Sequence, residues 1–175
     1  MGTGMRLAAA NEAICIEPGT SEIAEAIAGK EFSFYAFEGI KDGPNSELHI
    51  TSTRFDETTA VDLVSACVKA IAIHGENSQE EIAYLGGLDL STLHEIETSL
   101  TERGFTTKTH CSITLQGRHP SNICNRTING CGVQLELSRG LRRSFFHSLT
   151  DSGRQDTTQR FCEFVAAVRD VLGGV

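Results

Sequence analysis

The run Val133-Gln134-Leu135-Glu136-Leu137 sets one carboxylate, Glu136, inside an apolar stretch with the look of a strand. An ionised carboxylate there is costly to bury unless a cation faces it. Guanidinium groups stand on both sides in sequence: Arg126 upstream, and Arg139, Arg142 and Arg143 downstream. Two readings fit, a hydrolytic carboxylate held among cations and a structural Glu–Arg pair. Two further residues widen the chemistry. Glu17 precedes Pro18-Gly19, a turn entering a helix, and His74 precedes Gly75 at the end of an apolar run. His and Glu suit zinc, whose catalytic sites keep three protein ligands and leave one position for water. Zinc makes that water more acidic and polarises a carbonyl. A carboxylate outside the coordination shell can then carry the proton to a leaving nitrogen. On this reading Glu17 and His74 are zinc ligands and Glu136 is the base. Asn125, Arg126 and Arg139 hold a substrate carboxylate, Arg by bidentate contact. The alternatives stay open: Glu17 as a first-turn carboxylate favoured by the helix dipole, His74 as a structural histidine, Asn125 as a turn residue and Arg126 as a surface charge. The other histidines (His49, His94, His110, His119, His147) have no ligand spacing among themselves.

Positioning these side chains requires strands and helices in alternation. Residues 5–10 predict a short strand. Thr20 or Ser21 is expected to cap a helix that runs to Ala28 and closes at Gly29. Residues 32–37 and 48–51 read as strands, and Asp56 as the N-cap of a helix carrying Val61 and Val64. Residues 68–75 read as a central strand with His74 just past its carboxyl end, and 82–85 as another. Ser91 then opens a helix with Leu93, Ile96 and Leu100 on one face, stopped by Gly104. Residues 105–110 predict a strand, 117–132 a polar loop of a length usually tied to function, and 133–137 a strand running into a basic turn. A last helix spans about 157–172, with Phe161, Phe164 and Val168 along one face. The alternation predicts one α/β domain over residues 1–175 with a mixed, mainly parallel sheet. Glu17, His74 and Glu136 are expected beyond the carboxyl ends of its strands.

A chain of 175 residues can bury a real core, and 39% hydrophobic and 22% charged residues suit a soluble globular protein. It has neither an apolar run of bilayer length nor a signal-peptide pattern. A monomeric, cytoplasmic protein with no membrane partner is therefore expected, one that cell lysis would release. The net charge of −8 argues against nucleic acid as a partner. An anionic substrate stays open, because basic residues gather between Arg118 and Arg143. The six cysteines show no Cys-x-x-Cys spacing. They are expected to be reduced, with Cys67 and Cys162 packed in the core. A structural metal on Cys111, Cys124 and Cys131 is the lesser option.

Several segments, in order, resemble the motifs of the poly-γ-glutamate hydrolase family, known from phages, prophages and related bacterial genomes. They are Glu17-Pro18-Gly19-Thr20-Ser21-Glu22, Phe32-Ser33-Phe34-Tyr35 with Phe37-Glu38-Gly39, Leu48-His49-Ile50-Thr51-Ser52-Thr53, Ile73-His74-Gly75, Gly86-Gly87-Leu88-Asp89, Asn122-Ile123-Cys124-Asn125-Arg126, and the stretch from Gly132 to Arg142. The similarity runs from about Ile16 to Leu172. It implies a three-layer α/β sandwich like that of zinc carboxypeptidases, and a zinc-dependent hydrolase acting on γ-glutamyl amide bonds of poly-γ-glutamate or of a γ-glutamyl peptide. By the same resemblance Glu17 and His74 match zinc-ligand positions, Glu136 the catalytic carboxylate, and Asn125-Arg126 the pair that grips a carboxylate. The family also places a His-Gly-Gly motif before the glutamate ligand; at the position of its His this chain has Glu12. The resemblance therefore implies Glu12 as a surrogate oxygen ligand and a leading segment, residues 1–12, that is shortened or altered. The alternative it leaves is a family member that binds an anionic glutamyl polymer or peptide without cutting it.

Overall fold

The computed structural model describes residues 9–10, 17–37 and 50–173. Among these, five strands form one sheet: β1 (Ala9–Ala10), β2 (Ile71–Glu76), β3 (Ala83–Gly87), β4 (Thr107–Lys108) and β5 (Val133–Ser138). Their order is β1-β2-β5-β3-β4. β1–β2, β2–β5 and β3–β4 are parallel, and β3–β5 is antiparallel. The mixed, mainly parallel α/β sheet expected from the alternation is thus present. Five helices accompany it: α1 (Thr20–Ala28), α2 (Thr58–Ser65), α3 (Leu90–Glu102), α4 (Arg139–Phe145) and α5 (Gln159–Leu172). No helix among the described residues is long and apolar enough to cross a membrane.

Side chains alternate between the faces of a strand, and here the two faces differ sharply. Ile71, Ile73, Ala83, Leu85, Val133, Leu135 and Leu137 share the main core with Ile23 and Ile27 of α1, Ile96 and Leu100 of α3, and Phe164 and Val168 of α5. The alternate residues, His74, Tyr84, Gln134 and Glu136, belong to the other face. There His74 pairs in register with Glu136, and Tyr84 pairs with Glu136 from the opposite side. The loop around residues 113–125 covers this second face, and so closely that Gly86 has no room for a side chain. A Cβ there would run into the carbonyl oxygen of Gln116. A smaller cluster of Phe55, Ala60, Val64, Cys67, Ala70 and Ile123 joins α2 to that loop and completes the third layer.

Local chemistry sets the ends of the helices. Ser138 accepts from the Leu141 N–H, Asp89 from Thr92 and Thr158 from Phe161. Gly29 closes α1 as expected. Glu57, not Asp56, caps α2, because its carboxylate reaches both the Thr59 and Ala60 N–H groups. Thr20 is the first residue of α1, and its hydroxyl donates to the Glu17 carbonyl instead of capping. The expected basic turn after Glu136 is helix α4. Residues 32–37 form no strand of the sheet; Tyr35 and Phe37 instead set their rings edge-on to Phe55. The strand expected over 105–110 shrinks to Thr107–Lys108, since Phe105 turns into the core against Phe164. Residues 48–49, part of another expected strand, lie outside the described residues. Cys67 is buried as expected, but Cys162 is exposed, one position off the apolar face of α5.

One buried side chain joins three segments. Arg142 of α4 is 2% exposed. Its Nε donates to the Leu137 carbonyl at 3.1 Å, one Nη to Pro18 at 2.7 Å and the other to Glu76 at 2.9 Å. Removing a donor from buried carbonyls leaves each one unsatisfied. Arg142→Met is therefore expected to lower stability by about 3 kcal/mol or more in a urea titration; an unchanged midpoint would refute the clasp. Gly86→Ala is expected to cost roughly 1–3 kcal/mol by overpacking. Gly104→Ala, at φ +76° with open space around it, should show only its smaller backbone strain in the same titration.

Candidate active site

Parallel pairing of β2 with β5 sets His74 and Glu136 abreast. His74 lies inside its strand, not past the end as the sequence pattern suggests, because β2 continues through Gly75 to Glu76. Glu17 arrives from the segment preceding α1. Its Oε2 accepts the Gly75 N–H at 2.7 Å and lies 4.0 Å from His74 Nδ1. Gly75 leaves space for this approach; a Cβ there would press on Arg142 and on the Cβ of Glu17. All three site residues are buried: Glu17 at 8%, His74 at 7% and Glu136 at 5% exposure. They line one cleft of about 340 Å³ with Ser52, Asn122 and Gln134.

A polar relay fixes Glu136. Gln134, two residues earlier on the same strand face, donates from Nε2 to Glu136 Oε1 at 2.8 Å. Its own Oε1 accepts from Asn122 Nδ2 at 2.7 Å, which orients the amide with its NH2 toward the carboxylate. Sequence reasoning left Gln134 out, although its i, i+2 spacing from Glu136 is the signal that would have found it. It also missed Ser52, whose Oγ is 3.5 Å from His74 Nε2. The two imidazole nitrogens thus face different partners, Glu17 at Nδ1 and Ser52 at Nε2.

Burial pushes the Glu17 carboxyl up to about 7, opposed by the Gly75 N–H and by the charge of Arg142. A cation placed against it would favour its ionised form. Ligand atoms on a tetrahedral zinc lie about 3.4 Å apart, given bond lengths near 2.1 Å. The 4.0 Å between Glu17 Oε2 and His74 Nδ1 exceeds that by about 0.6 Å, a gap that small side-chain rotations would close. These two residues fit two corners of a zinc site. Among the described residues no set of three His, Cys, Asp or Glu side chains could hold a metal, which removes the Cys111, Cys124 and Cys131 option. Glu12, the surrogate third ligand, lies outside the described residues.

The expected carboxylate clamp is arranged otherwise. Asn125 is 2% exposed. Its Oδ1 accepts from Leu88 and Gly132, and its Nδ2 donates to the carbonyls of Gly117 and His119. Arg126 donates to the carbonyls of Ser121, Phe55 and Thr53. Both side chains pin the loop that roofs the cleft to its surroundings, and neither lines the cleft. Arg139 is exposed and borders a separate hollow beside Pro18.

A family model for poly-γ-glutamate hydrolase matches residues 14–167. Three proteins of Bacillus subtilis strain 168 are similar. The SPbeta prophage-derived protein YoqZ is 39% identical over 87% of this chain and 56% of its own length. YndL is 36% identical over 85% of this chain and 60% of its own length, and YmaC is 35% identical over 90% and 67%. The chain thus spans little more than half the length of the first two. Two solved structures share the fold. A bacteriophage poly-γ-glutamate hydrolase superposes with a TM-score of 0.90 at 30% identity, covering 98% of this chain and 84% of that one. The zinc-free apo form of YndL gives 0.86 at 34%, covering 99% and 87%. The paired His74 and Glu136, the approach of Glu17 and the match over residues 14–167 lead to one conclusion: the chain belongs to the poly-γ-glutamate hydrolase family.

Proposed function

We propose that this protein is a zinc-dependent hydrolase that cuts γ-glutamyl amide bonds of poly-γ-glutamate. One observation carries the reading. His74 and Glu136 stand abreast in one cleft, with Glu17 within 4.0 Å of His74. Membership of the family supports the hydrolytic class, and the description of YndL as zinc-free supports zinc as the metal. Glu17 and His74 would hold the ion, and by resemblance Glu12 would fill the third place. When bound, zinc would supply a Lewis acid and a more acidic water. Glu136 takes the proton of the attacking water and returns it to the departing α-nitrogen of the next glutamyl unit. Gln134 keeps one oxygen of Glu136 engaged, so the carboxylate holds its direction while its protonation changes. Ser52, facing Nε2, helps hold the His74 ring. The substrate is the anionic polymer or a γ-glutamyl peptide, met by a monomeric chain with no nucleic-acid or membrane partner.

A second reading, a protein that holds the polymer without cutting it, is favoured by one observation. Among the described residues Glu17 and His74 would supply only two ligands, and by resemblance the family's histidine position carries Glu12. Zinc content separates the two readings. The enzyme is expected to titrate with one zinc per chain in calorimetry, and His74→Ala to weaken that binding at least tenfold. Absence of zinc binding in the unmodified protein would favour the binder. Replacing Glu136 by Gln removes the base but preserves shape. It is expected to lower kcat by about 10²–10⁴-fold while polymer binding persists, read by the release of new amino termini from poly-γ-glutamate. Full turnover in that variant would remove Glu136 from the chemistry.

A further inference from the structure

Helix α4 carries two exposed cations, and the first of them stands where the helix's own stability does not favour it. Arg139 is its first residue, at the end where the helix dipole disfavours positive charge. Arg143 follows at i+4, on the same face, where like charges repel. Both are exposed, and no ion pair within 4.0 Å joins either to an acidic side chain among the described residues. Other arginines of this acidic chain are engaged. Arg103 pairs with Asp170, Arg154 with Glu22 and Asp151, and Arg169 with Glu31. Arg126 and Arg142 are committed to backbone carbonyls. Glu81 lines another hollow together with Arg143 and makes no ion pair with it.

Arg139 and Arg143 border a hollow of about 400 Å³ with His147, Ser148 and Pro18. This hollow and the catalytic cleft are linked through consecutive residues. Glu17 lines the cleft and the next residue, Pro18, lines the hollow. Arg142, from the same helix turn, grips the Pro18 carbonyl and fixes the two compartments to each other. The strand carrying Glu136 runs directly into the helix carrying the cations. A substrate with a free carboxylate on every unit would find the cations one or more units from the bond being cut.

We propose that Arg139 and Arg143, with His147 at the rim, form a carboxylate-binding subsite that holds a stretch of γ-glutamyl chain leading out of the catalytic cleft. The inference rests on the reading of poly-γ-glutamate as substrate. It sets a preference for polymer over short γ-glutamyl peptides, because only a chain long enough to span both compartments reaches the subsite.

Binding of poly-γ-glutamate to the Glu136→Gln protein, followed by fluorescence anisotropy at fixed ionic strength, tests it. The comparison adds Arg139→Ala/Arg143→Ala to that background. A control carries Lys30→Ala/Lys108→Ala, which removes the same charge from exposed positions elsewhere. The arginine pair is expected to weaken polymer binding about tenfold, with thermal melting unchanged, and the lysine control to have little effect. With Glu136 intact, the arginine pair should raise KM for the polymer several-fold more than KM for a γ-glutamyl dipeptide. Equal losses in the arginine and lysine variants, or no loss in either, would overturn the subsite while leaving the proposed substrate in place. Failure of the parent chain to bind or cut the polymer would overturn both.

Discussion

Three carbonyl groups converge on one buried guanidinium, and the candidate site depends on that meeting. Glu17, His74 and Glu136 come from three segments far apart in sequence. Arg142 bonds to Pro18, next to Glu17; to Glu76, two residues past His74; and to Leu137, next to Glu136. Each bond ends within two residues of a site side chain. The same cation lies near enough to Glu17 to oppose the effect of burial on its carboxyl. A buried charge of this kind is stable only with its donors matched, so its geometry is unforgiving, and that rigidity passes to the site.

The sheet divides its labour by face. One face is aliphatic and packs on α1, α3 and α5. The other holds polar groups that would be expensive to bury singly, and they are satisfied in chains: Asn122 to Gln134 to Glu136, and Ser52 to His74. The covering layer on this side is a loop, fastened by Asn125 and Arg126 through backbone carbonyls. A loop can lie close to the polar face because Gly86 offers no side chain to it. The cleft is therefore made by what the loop leaves uncovered.

Much of this was legible in the sequence, for identifiable reasons. Strands β2 and β5 are apolar runs and were readable from composition, as was α5 from the spacing of Phe161, Phe164 and Val168. Glu136 stood out because a carboxylate in an apolar strand demands an explanation. Helix α4 was hidden: with Arg-Gly-Leu-Arg-Arg it looks like a charged turn, and its start depends on a Ser138 cap that only the folded chain reveals. The pairing of His74 with Glu136 depends on strand register, which periodicity does not determine. The contacts of Asn125 and Arg126 were not legible for a related reason. Residue type indicates what a side chain can bind, but their partners are carbonyls up to 73 residues away, brought near only by folding.

The central claim is that Glu17 and His74 hold a metal beside Glu136. Diffraction data collected at the zinc absorption edge from crystals of the zinc-loaded protein test it most directly. The account predicts one anomalous peak in the cleft, bonded to the Glu17 carboxylate and His74 and facing Glu136. A catalytically active crystal form whose zinc peak lies elsewhere, with Glu17 and His74 unligated, would contradict it.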